Sequence, residues 1–433
     1  MGKWVGSDCS SDEDAGKKRF IGAGGVRLLV LSSLFPRPGQ EKAGLFIRER
    51  MFRVGRVLPL VVVSPVPWFP LQGLIRRWRP HYRPPAPRWE RQQGVEVYHP
   101  RFLALPGLFR AWDGFCMALA CVGLLRRLRR RFDFQLIDAH FAYPDGYAAT
   151  RLGRWFGVPV CITLRGTEVP HARDPARRAR MVRALSDAAR VFAVSDSLRR
   201  HAMALGLPGD KIRVVGNGVD TEKFYPVDRA AARRKLGLAA DARVLITVGA
   251  LVERKGFHRV IECLPALVGR YPDLHYLIVG GASPEGDWRA RLERLAAQLG
   301  VQERVHCLGA LPPEELKTPL SAADLFVLAT RNEGWANVLL EAMACGLPVV
   351  ATDVGGNAEV VCRDELGIIV PFGDNAALRD GIDQALRKAW DEDAIIAYAR
   401  ANSWDDRVRV LCEEFNRLLP APGAAAQTEE TAR

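Results

Sequence analysis

Two glutamates stand eight positions apart in a segment that carries glycines and is bounded by apolar runs. If residues 336–345 form a helix, Glu341 lies inside it and Glu333 lies in the loop just before its N-terminus. Both carboxylates can then face one small polar ligand. Apolar runs at 325–328 and 348–351 predict a strand on either side. This order is a natural place for a phosphate, because backbone N–H groups and the positive end of the helix dipole meet there.

The chain is long enough for two domains to hold this segment in place. Its 433 residues exceed one comfortable core, so two domains of about 200 residues are expected. Short apolar runs alternate with amphipathic ones, which is typical of parallel sheets covered by helices. The other predicted strands are 27–31, 60–63, 135–138, 158–163, 190–194, 244–248, 275–280 and 304–309.

The strands fall into two series, which predicts an α/β protein of two doubly wound domains with a boundary near 220–240. A ligand site at the carboxyl ends of the strands then lies in the cleft between the domains. The predicted units are an N-terminal domain at 23–225, a second domain at 226–402 and a last helix at 403–420 that packs back on the first domain. The tails at 1–22 and 421–433 are predicted to be disordered.

The composition excludes several classes of protein. Hydrophobic residues make up 48% and charged residues 26% of the chain, as in soluble globular proteins. No apolar run reaches the roughly 20 residues of a transmembrane helix. The nine cysteines lack the paired spacing of metal ligands, so we expect reduced thiols in a cytoplasmic protein. The polar N-terminal segment carries no recognisable export signal.

The charge is unevenly distributed between the two halves. Residues 1–225 carry 38 Lys and Arg against 19 Asp and Glu, whereas the remainder carries 24 against 30. A basic half favours anionic partners. The cations concentrate at 126–131 and at 74–83, where they mix with aromatic side chains. Such a mixture suits an anionic membrane surface, and it predicts a peripheral position on the inner face of the cytoplasmic membrane.

The basic half is also compatible with a solvated charged face or with a nucleic acid partner. A solvated face needs no partner at all. Nucleic acid is the least favoured of the three, because no recognised binding module accompanies the charge, and we expect none.

Two further loops carry residues that could bind a ligand. Gly44 follows the first strand and leads into a helix, so it could let backbone amides approach a phosphate or a sugar, although a loop glycine is more often a turn residue. Arg254 and Lys255 follow the strand 244–248 and precede a helix that starts near Phe257. Two cations in that place could clamp a diphosphate; a solvated surface pair is the alternative.

Four motifs in one order resemble glycosyltransferase family 4, a family of retaining enzymes with the GT-B fold of two facing Rossmann-like domains. They are GNGVDTEKFYP at 216–226, LVERKGF at 251–257, SAADLFVLAT at 321–330 and EGWANVLLEAMACGLPVVATDVGGNAEVV at 333–361. The last contains the family's two glutamates separated by seven residues. The resemblance runs from about residue 27 to residue 420, and it is strongest to enzymes that build bacterial surface polysaccharides, including the teichuronic acid type.

The resemblance implies a role for each residue of the motif. Glu341 would accept hydrogen bonds from the ribose of a nucleotide sugar, and Glu333 from the transferred sugar. Arg254 and Lys255 would stabilise the departing diphosphate in place of a metal ion. The base would rest against 308–311, which includes Gly309. Backbone amides at the start of the helix would bind the sugar and then the phosphate, namely those of Trp335, Ala336 and Asn337 and those of Val338, Leu339 and Leu340.

The chain departs from the family pattern at three places. Arg165 stands where many relatives have a histidine, and a guanidinium cannot act as a general base near neutral pH. We expect Arg165 to hold a carboxylate or phosphate, or to fix its loop. Ala250 stands where many relatives have an arginine, and the segment WAN at 335–337 replaces a glycine-rich turn, which predicts a more restricted donor pocket.

His140 is the remaining titratable candidate in the first half of the cleft. It lies at the carboxyl end of the strand 135–138, and its ordinary pKa suits acid–base chemistry; a structural histidine is equally expected from the position alone. Asp145 and Ser195 are weaker candidates. Asn217 and Asp220 are expected to shape the hinge between the domains.

The sequence therefore predicts a metal-independent, retaining glycosyltransferase of bacterial envelope or exopolysaccharide assembly. Its donor would be a nucleoside diphosphate sugar, with UDP favoured, and its acceptor a hydroxyl of a saccharide or lipid-linked saccharide. Two alternatives stay open: a GT-B sugar-nucleotide epimerase, and a non-catalytic nucleotide-sugar-binding subunit of a polysaccharide synthase.

Overall fold

The computed structural model describes residues 25–419 except 42, 71, 79–81, 106, 108 and 284. The two tails predicted to be disordered, 1–22 and 421–433, lie outside these residues, and so does the part of the basic segment at 79–81.

The first half of the chain folds around an eight-stranded sheet. The strand order is β10-β9-β8-β7-β1-β2-β5-β4, and all neighbours are parallel except β4 and β5. A separate pair, β3 and β6, lies beside it. The strands are β1 (Leu28–Leu31), β2 (Leu60–Val63), β3 (Val66–Trp68), β4 (Trp89–Gln92), β5 (Val95–Tyr98), β6 (Arg101–Leu103), β7 (Leu136–His140), β8 (Val160–Leu164), β9 (Arg190–Ala193) and β10 (Ile212–Val214).

Helices cover both faces of this sheet, which is why β1, β2 and β8 are continuous apolar runs buried throughout. The helices are α1 (Leu45–Val54), α2 (Gln72–Trp78), α3 (Asp113–Arg131), α4 (Tyr147–Phe156), α5 (Glu168–His171), α6 (Pro175–Asp187) and α7 (Asp196–Ala204).

The second half repeats the design with six parallel strands in the order β13-β12-β11-β14-β15-β16. This is the order of a Rossmann sheet, whose ligand site lies where the strand order reverses, between β11 and β14. The strands are β11 (Arg243–Val248), β12 (Leu274–Val279), β13 (Val305–Gly309), β14 (Leu325–Leu328), β15 (Val349–Thr352) and β16 (Gly367–Val370). The helices are α8 (Arg229–Leu236), α9 (Phe257–Val268), α10 (Arg289–Gln298), α11 (Lys317–Ala322), α12 (Asn337–Ala344), α13 (Asn357–Val360), α14 (Asn375–Arg387), α15 (Glu392–Ala401) and α16 (Trp404–Arg417).

The last helix returns to the first domain, as the sequence predicts. Val408, Leu411 and Phe415 of α16 are buried in the cluster that contains residues of β1 and α1. The Phe415 ring meets Phe192 of β9 edge to face, with 5.7 Å between centroids. Both sheets, the cleft between them and this returning helix confirm the predicted α/β, GT-B architecture, whereas the numbered domain boundaries stay predictions.

Several strands differ from the sequence prediction. β4 and β5 were not predicted, although Gln93 and Gly94 between them adopt positive φ angles of 47° and 85°, as a two-residue hairpin turn requires. The polar sequence of β4 hid the hairpin, because one face of this edge is open to solvent. β3, β6, β10 and β16 were also missed; β3, β6 and β10 have only three residues each, which is too short for a periodic pattern. β7 runs two residues further than the predicted strand 135–138 and ends at His140, which confirms the place of His140 at the carboxyl end of the strand.

Candidate active site

Loops at the carboxyl ends of strands from both sheets meet at one place in the cleft. The loops after β11 and β14 belong to the second domain, and the loop after β8 faces them from the first. A Cβ added to Gly334 would lie 2.2 Å from the carbonyl oxygen of Arg165, and one added to Gly166 would lie 3.1 Å from the Cα of Gly334. The two loops touch through their backbones, so glycine is required at position 334.

Glu333 is held by a cation of its own domain. Its Oε1 accepts a hydrogen bond from Nζ of Lys255 at 2.5 Å and one from the hydroxyl of Thr330 at 3.2 Å. The side chains of Glu333 and Lys255 are only 11% and 14% exposed. A partly desolvated pair of this kind is fixed in orientation before any ligand arrives. Lys255 lies in a single turn, Glu253–Lys255, directly after β11.

Arg254 lies beside this pair but is bound by Glu285. Its Nε and one terminal nitrogen donate to the two carboxylate oxygens of Glu285, each at 2.8 Å, and this hydrogen bonding raises the pKa of Arg254. The distance from its other terminal nitrogen to Glu333 is 4.0 Å. Lys255 and Arg254 therefore both lie close to Glu333, and each is already paired with a carboxylate; the clamp of two cations stays a prediction. No pattern in the sequence points to Glu285, which lies 31 residues further along the chain.

Glu341 is a partly buried residue of α12 and lies among charges from three segments. Burial raises the pKa of its carboxyl to about 7; the Glu49 carboxylate adds to this rise, while Lys255 and Lys223 oppose it. Lys223 belongs to the connection between the domains, and its Nζ lies 3.2 Å from Glu49 of α1. Sequence reasoning missed Glu49 and Lys223, since their approach to Glu341 depends on how the two domains pack.

The N-terminus of α12 is open. Its N-cap residue is Ala336, no side chain in the described part of the chain caps it, and its first turn contains no acidic residue. The first N–H groups of a helix have no partner inside the helix, and together with the helix dipole they attract an anion. The predicted amide donors, which are those of Trp335, Ala336, Asn337, Val338, Leu339 and Leu340, all lie in this first turn or directly before it. Gly309, which was predicted to lie against the base, is the last residue of β13 and has a positive φ of 76°.

The predicted candidates of the first domain lie deeper. His140 has no exposed surface and Arg165 is 9% exposed. Nε of Arg165 donates to Nδ1 of His140 at 3.2 Å, and one terminal nitrogen donates to the side-chain oxygen of Asn217 at 3.2 Å. The guanidinium also stacks on the Phe46 ring, at 5.0 Å from its centroid. Arg165 thus covers His140.

These contacts decide the protonation of His140. Burial lowers its pKa well below the ordinary value, and the guanidinium groups of Arg165 and Arg50 lower it further. Because Nδ1 accepts from Arg165, the proton of the neutral ring is on Nε2, which lies 3.5 Å from a carboxylate oxygen of Asp138. Both ring nitrogens of His140 therefore face protein groups.

Two family profiles match the chain in succession. The profile described as Glycosyl transferases group 1 matches residues 228–402, and that described as Glycosyltransferase Family 4 matches residues 71–223. A GDP-mannose-dependent alpha-(1-6)-phosphatidylinositol monomannoside mannosyltransferase of Mycolicibacterium smegmatis is 36% identical over 324 residues, which are 70% of this chain and 80% of that protein. The chain belongs to glycosyltransferase family 4. It is a transferase enzyme.

Other relatives in family 4 differ in what their names say they make. The putative teichuronic acid biosynthesis glycosyltransferase TuaC of Bacillus subtilis is 29% identical over 80% of this chain and 86% of that protein. A D-inositol 3-phosphate glycosyltransferase of Corynebacterium urealyticum is 36% identical, but over only 58% of this chain and 63% of that protein.

Solved structures show the same fold. Sucrose-phosphate synthase from Thermosynechococcus elongatus has a TM-score of 0.74 at 22% identity and covers 91% of this chain and 99% of its own. HepE of Anabaena, solved in complex with UDP, has a TM-score of 0.70 at 19% identity and covers 90% and 100%. At these identities the likeness establishes the GT-B fold of the family 4 enzyme.

The remaining predicted candidates of this glycosyltransferase hold the structure around the cleft. Gly44 has a φ of 70°, and a Cβ on it would lie 2.3 Å from the carbonyl oxygen of Leu34, so the loop itself requires glycine there. Buried Asp145 accepts hydrogen bonds from the backbone N–H and the hydroxyl of Ser33. Ser195 caps α7.

The two residues assigned to the hinge make contacts that span it. Asp220 accepts from Arg53 of α1 at 2.5 Å. The side-chain amide of Asn217 donates to Asn337 at the start of α12, at 2.9 Å. Asn217 therefore joins Arg165 of the first domain to the donor-side helix of the second.

The described residues of the family 4 enzyme contain neither a cluster of metal ligands nor a membrane-spanning helix. No three His, Cys, Asp or Glu side chains there are grouped so that they could hold a metal ion; independence from metal stays a prediction. No described helix is both long enough and apolar enough to cross a membrane.

Proposed function

We propose that the protein transfers a hexose, with retention of the anomeric configuration, from a nucleoside diphosphate sugar to an acceptor hydroxyl. The observation that carries this proposal is the Lys255–Glu333 pair, 2.5 Å apart, beside the open N-terminus of α12 and opposite the Arg165–Gly166 loop. An anion at the helix terminus is then next to a fixed cation, and a hydroxylated sugar is next to a fixed carboxylate.

On the donor side each group has its own role. Backbone N–H groups at the start of α12 and the ammonium of Lys255 bind the diphosphate and stabilise its charge as the glycosidic bond breaks. Glu333 accepts hydrogen bonds from the sugar, and Glu341 binds the ribose hydroxyls. UDP is the favoured nucleotide, in keeping with the UDP complex of HepE.

Arg254 completes the donor site by an exchange of partners. Its ion pair with Glu285 is partly exposed, at 29% and 52% of the two side chains, and such pairs are weak. A diphosphate carries more charge than one carboxylate, so Arg254 turns from Glu285 to the bound nucleotide.

On the acceptor side Arg165 fixes the loop that faces the donor. Its guanidinium is engaged with His140, Asn217 and the Phe46 ring, and it stays protonated near neutral pH, so it does not act as a base. The leaving phosphate takes the acceptor proton, as expected for a front-face reaction. His140, which is buried under Arg165, supports the loop.

The acceptor belongs to bacterial envelope or exopolysaccharide assembly, in line with the likeness to TuaC, and is a saccharide or a lipid-linked saccharide. The first domain presents exposed Trp68, Leu74 and Trp78, the last 81% exposed. Trp68 also lines a cavity of about 160 Å³, together with Phe69, Arg76 and Arg101. This surface rests on the anionic inner face of the cytoplasmic membrane.

The donor assignment is tested with the Glu333→Gln variant and purified UDP-sugars. Glu333→Gln keeps the size of the side chain but loses the charge that Lys255 binds. We expect sugar transfer by the wild type, a fall in turnover of about 100-fold in the variant, and little change in UDP affinity. Glu365→Gln, an exposed carboxylate of the same domain, is the control.

Other outcomes would overturn the proposal. Conversion of the UDP-sugar without transfer to any acceptor would identify an epimerase. Binding of the donor without turnover across an acceptor panel would identify a binding subunit. Membrane attachment has its own test, since absence of co-sedimentation with anionic vesicles at low salt would show that the Trp68–Trp78 surface has another purpose.

A further inference from the structure

A glutamate of the second domain caps a helix of the first. The two carboxylate oxygens of Glu359 accept hydrogen bonds from the backbone N–H groups of Asp196, at 2.6 Å, and Ser197, at 2.8 Å. These residues open α7, and the hydroxyl of Ser195 accepts from the next free N–H, that of Leu198, at 3.3 Å. Glu359 thus places its charge at the positive end of the α7 dipole, where an anion is stabilised.

This contact exists only while the domains are closed. α7 follows β9 of the first sheet, and Glu359 lies in α13, after β15 of the second. First-turn N–H groups have no acceptor within their own helix. Movement of the domains apart by a few ångströms would therefore give both N–H groups and the carboxylate back to water.

The turn that carries Glu359 also lies directly on the loop of Glu333 and Gly334, which we call the donor loop. A Cβ on Gly355 would lie 1.7 Å from the carbonyl oxygen of Glu333, and one on Gly356 would lie 2.8 Å from that of Gly334. The backbone of the α13 turn is therefore in direct contact with the backbone at Glu333 and Gly334, with no side chain between them that could move to accommodate a displacement. A displacement of the α13 turn would therefore also displace Glu333.

Trp335 lies at the same boundary between the two domains. Its ring packs against the hydrophobic cores of both domains. A Cβ on Gly216 would lie 2.9 Å from the ring, and a Cβ on Gly356 would lie 3.0 Å from Cβ of Ser195. The Glu359 contact is therefore part of a closely packed interface between the two domains and not an isolated surface contact.

We propose that Glu359 is a positioning residue for sugar transfer. Its hydrogen bonds to α7 hold the first domain against the donor loop, so that Glu333 and the Arg165–Gly166 loop keep the alignment that transfer requires. The kinetic part of this inference rests on the proposed transfer reaction, whereas the contact between Glu359 and α7 does not.

The test compares Glu359→Ala with Asp374→Ala. Asp374 caps α14 wholly within the second domain by accepting from the N–H of Ala377 at 2.8 Å, so its loss weakens a helix cap without touching the boundary. The first readout is hydrogen–deuterium exchange of the peptide 194–200 in the presence of UDP. We expect exchange at Asp196 and Ser197 to become about tenfold faster in Glu359→Ala and to stay unchanged in Asp374→Ala.

The second readout is steady-state kinetics. Glu359→Ala is expected to lower kcat about 10- to 100-fold, as misplacement of reacting groups does, and to leave the donor KM within about threefold. Glu359→Gln, which keeps an acceptor oxygen, is expected to recover part of kcat.

Either of two results would overturn the proposal: unchanged exchange at α7 in Glu359→Ala, or an equal fall of kcat in Asp374→Ala. If the wild type transfers no sugar at all, the proposed function fails, while the exchange experiment still decides whether Glu359 holds the two domains together.

Discussion

The two domains present charged groups to the cleft in opposite ways. In the second domain Glu333 and Lys255 form a pair near the surface of the cleft, which a ligand can join. In the first domain Arg165 and its neighbours Asp138 and Arg50 are buried, and Arg50 has no exposed surface. Both terminal nitrogens of Arg50 and one of Arg165 lack hydrogen-bond partners among the described residues. The charged pair of the second domain is thus open to a ligand, whereas the charged groups of the first domain are enclosed by protein.

Under the proposed function, this difference predicts which substrate each domain recognises. The paired charges beside the N-terminus of α12 would bind the charged donor directly. The buried charges of the first domain would act on the acceptor only through the loop that they support, so the proposal predicts that acceptor choice depends on the shape of the surrounding surface.

The largest effect is expected from Lys255→Ala. Loss of the ammonium removes both the partner of Glu333 and a fixed charge at the diphosphate, so turnover is expected to fall about 100- to 1,000-fold. Steady-state assays with a UDP-sugar measure this. Lys235→Ala, at an exposed position of α8, is the matched control; equal losses in both variants would remove the special role of the pair.

Gly334→Ala separates the domains while leaving the donor groups intact. The added methyl would lie 2.2 Å from the carbonyl oxygen of Arg165, so the loops must move apart. Turnover is expected to fall about 100-fold, whereas UDP affinity is expected to stay within about threefold, because the second domain binds it. If affinity falls as much as turnover, the donor site needs the first domain.

Glu341→Gln tests how much the ionised carboxylate of Glu341 lowers the free energy of unfolding. A carboxyl with a folded-state pKa of about 7, against about 4.3 unfolded, binds more protons folded than unfolded between these values. The free energy of unfolding therefore decreases as pH rises through that window.

Replacing the group by a neutral amide removes this penalty. We expect Glu341→Gln to be about 1–2 kcal/mol more stable than the wild type at pH 8 and equal to it near pH 4, measured by denaturant unfolding. A difference that does not change with pH would show that Glu341 is fully ionised in the folded protein.

The smallest effect is expected from Glu285→Gln. Without its carboxylate, Arg254 is free to meet the nucleotide, so UDP affinity is expected to increase about two- to fivefold. Calorimetric titration detects this, with Glu365→Gln as the control. Weaker UDP binding would show that Glu285 itself orients Arg254 for the ligand.

Much of the donor half could be predicted from the sequence, because its chemistry lies in short segments directly after strands. Lys255 follows β11, and Glu333 follows β14, and continuous apolar runs mark both strands. Partners distant in sequence could not be predicted. Glu285 reaches Arg254 across 31 positions and Glu359 reaches α7 across 163. Nor could the sequence show that Arg165 turns inward onto His140, since this depends on how α1 and β7 pack.

The most direct measurement is calorimetric titration of UDP into the wild type, Lys255→Ala and Arg165→Gln. If the donor is read by the second domain, Lys255→Ala weakens binding at least about tenfold, while Arg165→Gln leaves the dissociation constant within about threefold. An equal or greater loss in Arg165→Gln would contradict the division of work between the two domains.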